Sequence, residues 1–144
     1  MAKINRTASA AWSGGLKDGI GSISTESGAL AAYPYGFAAR FEGKKGTNPE
    51  ELLGAAHAGC FTMALSLILG EAKLTAEKMD TTARVTLEKL DDGFAVTAVH
   101  LTLKAKISGT NQKTFEELAN KAKAGCPLSK VLKATITLDA TLVS

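Results

Sequence analysis

NPEELLGAAHAGCFTMALSLIL, residues 48–69, is the stretch on which the reading of this chain turns. From Leu52 to Leu69 there are eighteen residues without an Asp, Glu, Lys or Arg, and Cys60 stands in the middle of that run. Asn48 suits an N-cap, Pro49 suits the first helical position, and Glu51 follows three residues after the cap. The stretch therefore predicts a helix, ending at Gly70 or in the polar residues Glu71–Lys73. A helix that is apolar on every side is expected to be buried on every side. At 1.5 Å per residue the run spans about 27 Å, which is long enough for a bilayer. Two glycines, His57, Thr62 and Ser66, with a carboxylate pair directly before the run, favour a core helix instead.

The flanking sequence alternates as a soluble β protein does. Thr7–Trp12, Gly19–Ser27 and Tyr35–Glu42 read as strands separated by Gly-rich turns. After the helix, Asp80–Leu90 alternates, Asp91-Asp92-Gly93 turns the chain, and Phe94–Ile107 returns antiparallel with Val99, Leu101 and Leu103 on one face. A second helix is expected over Gln112–Ala124, with Phe115, Leu118, Ala119 and Ala122 at helical spacing and Gly125 as its stop. Cys126-Pro127 opens a short helical turn through Leu132, and Ala134–Val143 closes as a strand. Segregated strand and helix runs make this an α+β pattern, in one domain over residues 1–144. One modest antiparallel sheet covers one side of the 49–69 helix, so an apolar flank remains. A homodimer that buries two such flanks together is the simplest solution.

Composition narrows the function classes. The chain is 45% hydrophobic and 22% charged, and its net charge of +3 is spread along it, mostly as lysine. Aromatic side chains do not interleave with basic ones, which argues against a nucleic-acid surface. The opening MAKINRTASAAWSGG has no apolar run behind its positive charges, so it does not read as a secretory signal. The expectation is a cytoplasmic protein whose two cysteines stay as thiols. They stand 66 positions apart, which offers neither a CxxC redox motif nor a zinc ribbon. With His57 and His100 as the two histidines, neither a metal nor another cofactor is expected.

Two readings of Cys60 stand side by side. A buried thiol often behaves as a small hydrophobe. Apolar burial raises its pKa and silences it, and a mid-helix position gains little from the helix dipole. A reactive Cys60 therefore needs a cation brought from elsewhere. Arginine is scarce, at positions 6, 40 and 84. Arg40 has the fork of donors to support a thiolate and pair with a carboxylate, or it is a solvent-facing strand residue. Glu50 is either that carboxylate or a first-turn complement to the dipole. Cys126, at the start of a helical turn, stands where exposed amides favour a thiolate, or it is a buried loop cysteine. His57 and Cys60, three residues apart on one helical face, also suit a Cys–His hydrolase. An apolar-ligand-binding dimer is the non-enzymatic alternative.

Thr47-Asn48-Pro49-Glu50-Glu51-Leu52 running into HAGCFTMALS (57–66), with Gly125-Cys126-Pro127-Leu128-Ser129-Lys130 downstream, resembles the OsmC/Ohr family. This is the osmotically inducible protein C and organic hydroperoxide resistance group of thiol peroxidases. The resemblance extends over nearly the whole chain, including Tyr35-Gly36-Phe37 and Arg40-Phe41, and the wording is closer to the OsmC branch. It implies an intertwined α+β homodimer, with antiparallel sheets packed around long central buried helices. By match to the motifs, Cys60 is the peroxidatic cysteine, Cys126 the resolving one, and Arg40 and Glu50 the supporting pair. The implied substrate is an organic hydroperoxide, and the implied reductant is an external dithiol of the dihydrolipoyl type. Phe61, Met63 and Phe41 either shape an apolar pocket or belong to the core. Glu50 lies ten residues before Cys60, about 15 Å along an ideal helix, and helical side chains lean toward the N-terminus. One guanidinium does not span both on one straight helix, so the Arg40–Glu50–Cys60 set is expected to cross the dimer interface.

Overall fold

Trp12 sets the geometry of the first sheet. The computed structural model describes residues 2–144, in two compact units that divide between Pro49 and Glu50. In the first unit, β1 (Ala8–Ser13), β2 (Ile20–Thr25) and β3 (Tyr33–Tyr35) form an antiparallel sheet in that order. The β1–β2 hairpin closes at Ser13 opposite Ile20, and Trp12 Nε1 donates to the Gly14 carbonyl at 3.1 Å. The indole lies so close over β2 that a Cβ on Gly21 would stand 2.6 Å from it, and it meets Tyr35 edge-on at 5.5 Å. Glycine is required at position 21 because this close approach leaves no room for a side chain.

The third strand lies earlier than the sequence predicts, over Tyr33–Tyr35 and not Tyr35–Glu42. It stops at Tyr35, and Phe37–Phe41 forms the short helix α1, so Arg40 stands on a helical turn and not on a strand. The Arg40 N–H donates to the Gly36 carbonyl at 3.0 Å and the Glu42 N–H to Ala38 at 2.9 Å. The aromatic residues suggested a strand, but Ala38 and Ala39 favour helix. Phe37 and Phe41 are four residues apart, and their ring centroids meet at 5.0 Å across one turn.

The second unit is built on α2, Pro49–Glu71, which begins and ends where the sequence places it. Gly54, His57, Phe61, Leu65 and Leu69 form its buried stripe at helical spacing. The opposite side is open in the single chain, with Met63 76% and Leu67 68% exposed. Burial on every side is thus not met within one chain, and the expected apolar flank is present. Where α2 crosses the sheet, a Cβ on Gly54 would stand 3.3 Å from Val85, so the small residue permits the close packing.

That sheet has the order β4 (Ala76–Leu90), β5 (Gly93–Ile107), β6 (Thr135–Val143). β4 begins four residues before the expected start. It pairs antiparallel with β5 through a two-residue turn at Asp91-Asp92, with Gly93 at φ +125°. Val99, Leu101, Leu103, Ala105 and Ile107 point into the core, while Thr102, Lys104 and Lys106 face out. One strand departs from the antiparallel expectation. β6 runs parallel to β5, with Leu101 opposite Leu138, which makes the sheet mixed. The reason is the connection: α3 (Gln112–Gly125) and α4 (Pro127–Val131) carry the chain back before β6 starts, as a parallel pair requires. Asn111 caps α3 by accepting from the Thr114 N–H at 2.9 Å, and Phe115, Ala119 and Ala122 add the helix to the core.

Leu65 is fully buried in the core cluster. Leu65→Ala is expected to cost about 2–5 kcal/mol, read from chemical denaturation at fixed protein concentration. Lys104→Ala on the outer face is expected to stay within about 0.5 kcal/mol of the parent.

Candidate active site

Two cysteines that are 66 residues apart in the chain meet where α2 passes the junction of α3 and α4. Cys60 is half-buried on α2, one position from the buried Phe61, and Cys126 is completely buried. Both are free thiols; Cys60 packs against the core cluster that contains Cys126, close enough for Cys126 to influence the Cys60 proton. Cys126 ends one helix and begins the next. Its N–H donates to the Ala122 carbonyl at 2.9 Å, its backbone is extended (φ −61°, ψ 127°), and Pro127 follows as the first residue of α4.

The first amides of a helix have no partner within it. The sequence assigned those of this turn to Cys126. In the structure the Leu128 N–H serves Cys60 instead. Burial pushes the Cys60 thiol up from its ordinary value of 9.0, the Leu128 amide draws it down, and the neighbouring Cys126 pushes it up again. The net direction is up. Within the second unit Cys60 is therefore held toward the neutral thiol, as apolar burial predicts.

His57 lies one helical turn before Cys60 and is completely buried. Its Nε2 and the Ser129 Oγ are hydrogen-bonded at 2.8 Å, and its Nδ1 is buried with no hydrogen-bond partner among the described residues. Burial lowers the pKa of this imidazole, so the ring is neutral. The hydrogen bond that holds the ring joins it to Ser129 on α4 and not to Cys60, which does not favour the Cys–His hydrolase reading. A serine hydrolase would hold an orienting group at Nδ1. Ser129 and the Leu128 amide were missed as site groups in the sequence. Their signal lay in the CPLSK stretch, where a hydroxyl and a backbone N–H carry no distinctive pattern.

Arg40 belongs to the first unit. It is exposed on α1, with its guanidinium carbon 5.2 Å from the centre of the Phe41 ring. It lines a cleft of about 220 Å³ with Trp12, Leu16, Tyr35, Phe37 and Phe41. Glu50 is half-buried in the first turn of α2, on the same continuous helix as Cys60. At ten residues' separation the two are about 15 Å apart along the axis.

Residues 42–141 match the family model described as OsmC-like protein. The chain is 57% identical to peroxiredoxin OsmC of Escherichia coli strain K12, over 98% of this chain and 99% of that protein. It is 36% identical to organic hydroperoxide resistance protein OhrA of Bacillus subtilis, over 69% and 67% of the two chains. The crystal structure of OhrB from B. subtilis superposes with a TM-score of 0.67 at 28% identity, covering 95% of this chain and 98% of that one.

The neutral, buried His57 fixes a sign for pH dependence. Below the ordinary imidazole value of 6.5 the unfolded chain binds a proton that the folded chain resists. The stabilising contribution is complete above that value and is lost as the pH falls below it. His57→Leu is expected to flatten the decline in urea midpoint between pH 7.5 and pH 5 relative to the parent. Equal declines in the two proteins would contradict this assignment.

Proposed function

This chain belongs to the OsmC-like protein family, nearer its OsmC than its Ohr members, and from that premise we propose that it is a cysteine-based peroxidase. Its substrates are organic hydroperoxides and, more weakly, hydrogen peroxide, and its role is defence against oxidative stress in the cytoplasm. The observation that carries the proposal is the contact between the Cys60 and Cys126 thiols, in a chain 57% identical to a peroxiredoxin over its length.

The chemistry has three balanced steps. The Cys60 thiolate attacks the distal peroxide oxygen; the O–O bond breaks, an S–O bond forms, and the alkoxide leaves as alcohol after taking a proton. Cys126 then attacks the Cys60 sulfenic acid, forming the disulfide and releasing water. An external dithiol of the dihydrolipoyl type restores both thiols by exchange and is itself oxidised to a disulfide. Arg40 supplies the positive charge that Cys60 needs, and Glu50 pairs with and orients that guanidinium. Apolar side chains at Met63 and Phe41 favour organic substrates, while Phe61 is taken up by the core.

The working form is a homodimer in which Met63 and Leu67 of two α2 helices are buried, and one OsmC-like domain spans residues 1–144. The Arg40–Glu50–Cys60 set is shared between subunits. A redox-inert dimer that binds an apolar ligand is the alternative favoured by the open face of α2, and the same experiment separates it.

Reduced protein treated with one equivalent of cumene hydroperoxide is expected to lose two hydrogens, with Cys60 joined to Cys126 by mass spectrometry. Cys126→Ser is expected to stop at a sulfenic or sulfinic Cys60. Unchanged thiols would defeat the peroxidase reading in favour of the ligand-binding one. Mixing inactive Arg40→Ala and Cys60→Ser proteins under subunit exchange is expected to recover activity, because one mixed site carries both native residues. No recovery, with exchange verified by native mass spectrometry, would place Arg40 and Cys60 of one site in the same subunit.

A further inference from the structure

α4 is five residues long, and a helix of that length does not hold itself in water. Its residues stand where they do because something outside it fixes them. One such tie is the 2.8 Å hydrogen bond between His57 Nε2 and Ser129 Oγ, which joins α2 to α4. The choice of residue at 57 calls for a reason. The position is completely buried on the core stripe of α2, where an aliphatic side chain would leave no polar atom unpaired. The imidazole instead carries into that core an Nδ1 with no hydrogen-bond partner among the described residues, at a cost in desolvation.

Its location supplies the reason. His57 and Cys60 are three residues apart on one face of α2. Ser129 follows Leu128, whose amide reaches Cys60, and is three residues beyond Cys126, whose thiol does. The bond thus anchors the segment that presents both groups to Cys60. We infer that the His57–Ser129 pair is a latch that holds residues 126–129 against α2, keeping the Cys126 thiol at Cys60 when the sulfenic acid forms. Both are positioning residues, and the inference rests on the peroxidase reading.

The latch decides between two fates of one intermediate. In capture, Cys126 sulfur attacks the Cys60 sulfenic sulfur, the S–S bond forms, and the hydroxyl leaves with the Cys126 proton as water. In overoxidation, a second hydroperoxide transfers oxygen to the same sulfur, giving sulfinic acid and another molecule of alcohol. A segment held in place favours capture, and a loosened one gives the second peroxide time.

The test follows the reduced full-length protein through timed quenching with cumene hydroperoxide and mass spectrometry of Cys60. Ser129→Ala is expected to slow disulfide formation about fivefold, the factor of one net hydrogen bond. Consumption of the first equivalent of peroxide changes less, and the sulfinic fraction rises. Ser129→Thr, which keeps the hydroxyl, restores the parent ratio. His57→Leu, which fills the same buried site without a polar atom, reproduces the Ser129→Ala split and serves if that protein does not fold. In a Cys126→Ser background, Ser129→Ala adds no further sulfinic acid, because the latch acts through Cys126. A parent-like disulfide rate in both latch variants, or the same added overoxidation without Cys126, overturns the latch alone. A parent protein that forms no disulfide overturns the peroxidase reading and the latch with it.

Discussion

The stripe Gly54–His57–Phe61–Leu65–Leu69 on one side of α2, buried against the inward face of β5, is the constraint on which the larger unit depends. It fixes the rotation of the helix about its own axis. Cys60 is adjacent to Phe61, so that rotation leaves its sulfur at the margin between the covered and the open face. The margin is where the α3–α4 junction passes, and there Cys126 and the Leu128 amide meet the thiol. Packing of this stripe thus determines where the two thiols lie.

The same packing creates the electrostatic difficulty at that sulfur. Burial disfavours the thiolate, the Leu128 amide offsets part of this, and the neighbouring thiol adds to it. A single backbone N–H does not reverse the balance, and α2 carries no Lys or Arg. On the proposed function, the positive charge that Cys60 needs has to come from another element. An arginine suits the task because it stays charged in apolar surroundings and holds a carboxylate through its paired donors.

What was legible in the sequence follows from how local each signal is. α2 was readable end to end because eighteen charge-free residues behind Asn48-Pro49 leave few alternatives. The β4–β5 hairpin was readable because alternation and Asp91-Asp92-Gly93 act within a few residues. The helix α1 was not, since five residues with two phenylalanines satisfy a strand pattern as well as one helical turn. The parallel pairing of β6 was not readable either, because direction depends on where a 27-residue connection returns the chain. At the site, both cysteines were legible from their motifs. Ser129, which gives His57 its partner, and the Leu128 amide were not, because each works through a partner about 70 residues away in sequence.

The central claim is that Cys60 is silenced by its own surroundings and activated by Arg40. The direct measurement is the titration of the Cys60 thiolate by its ultraviolet absorbance, in Cys126→Ser protein with and without Arg40→Ala. With Arg40 present the thiol is expected to titrate well below its ordinary value of 9.0, and without it at or above that value. The same titration in both proteins would contradict the account.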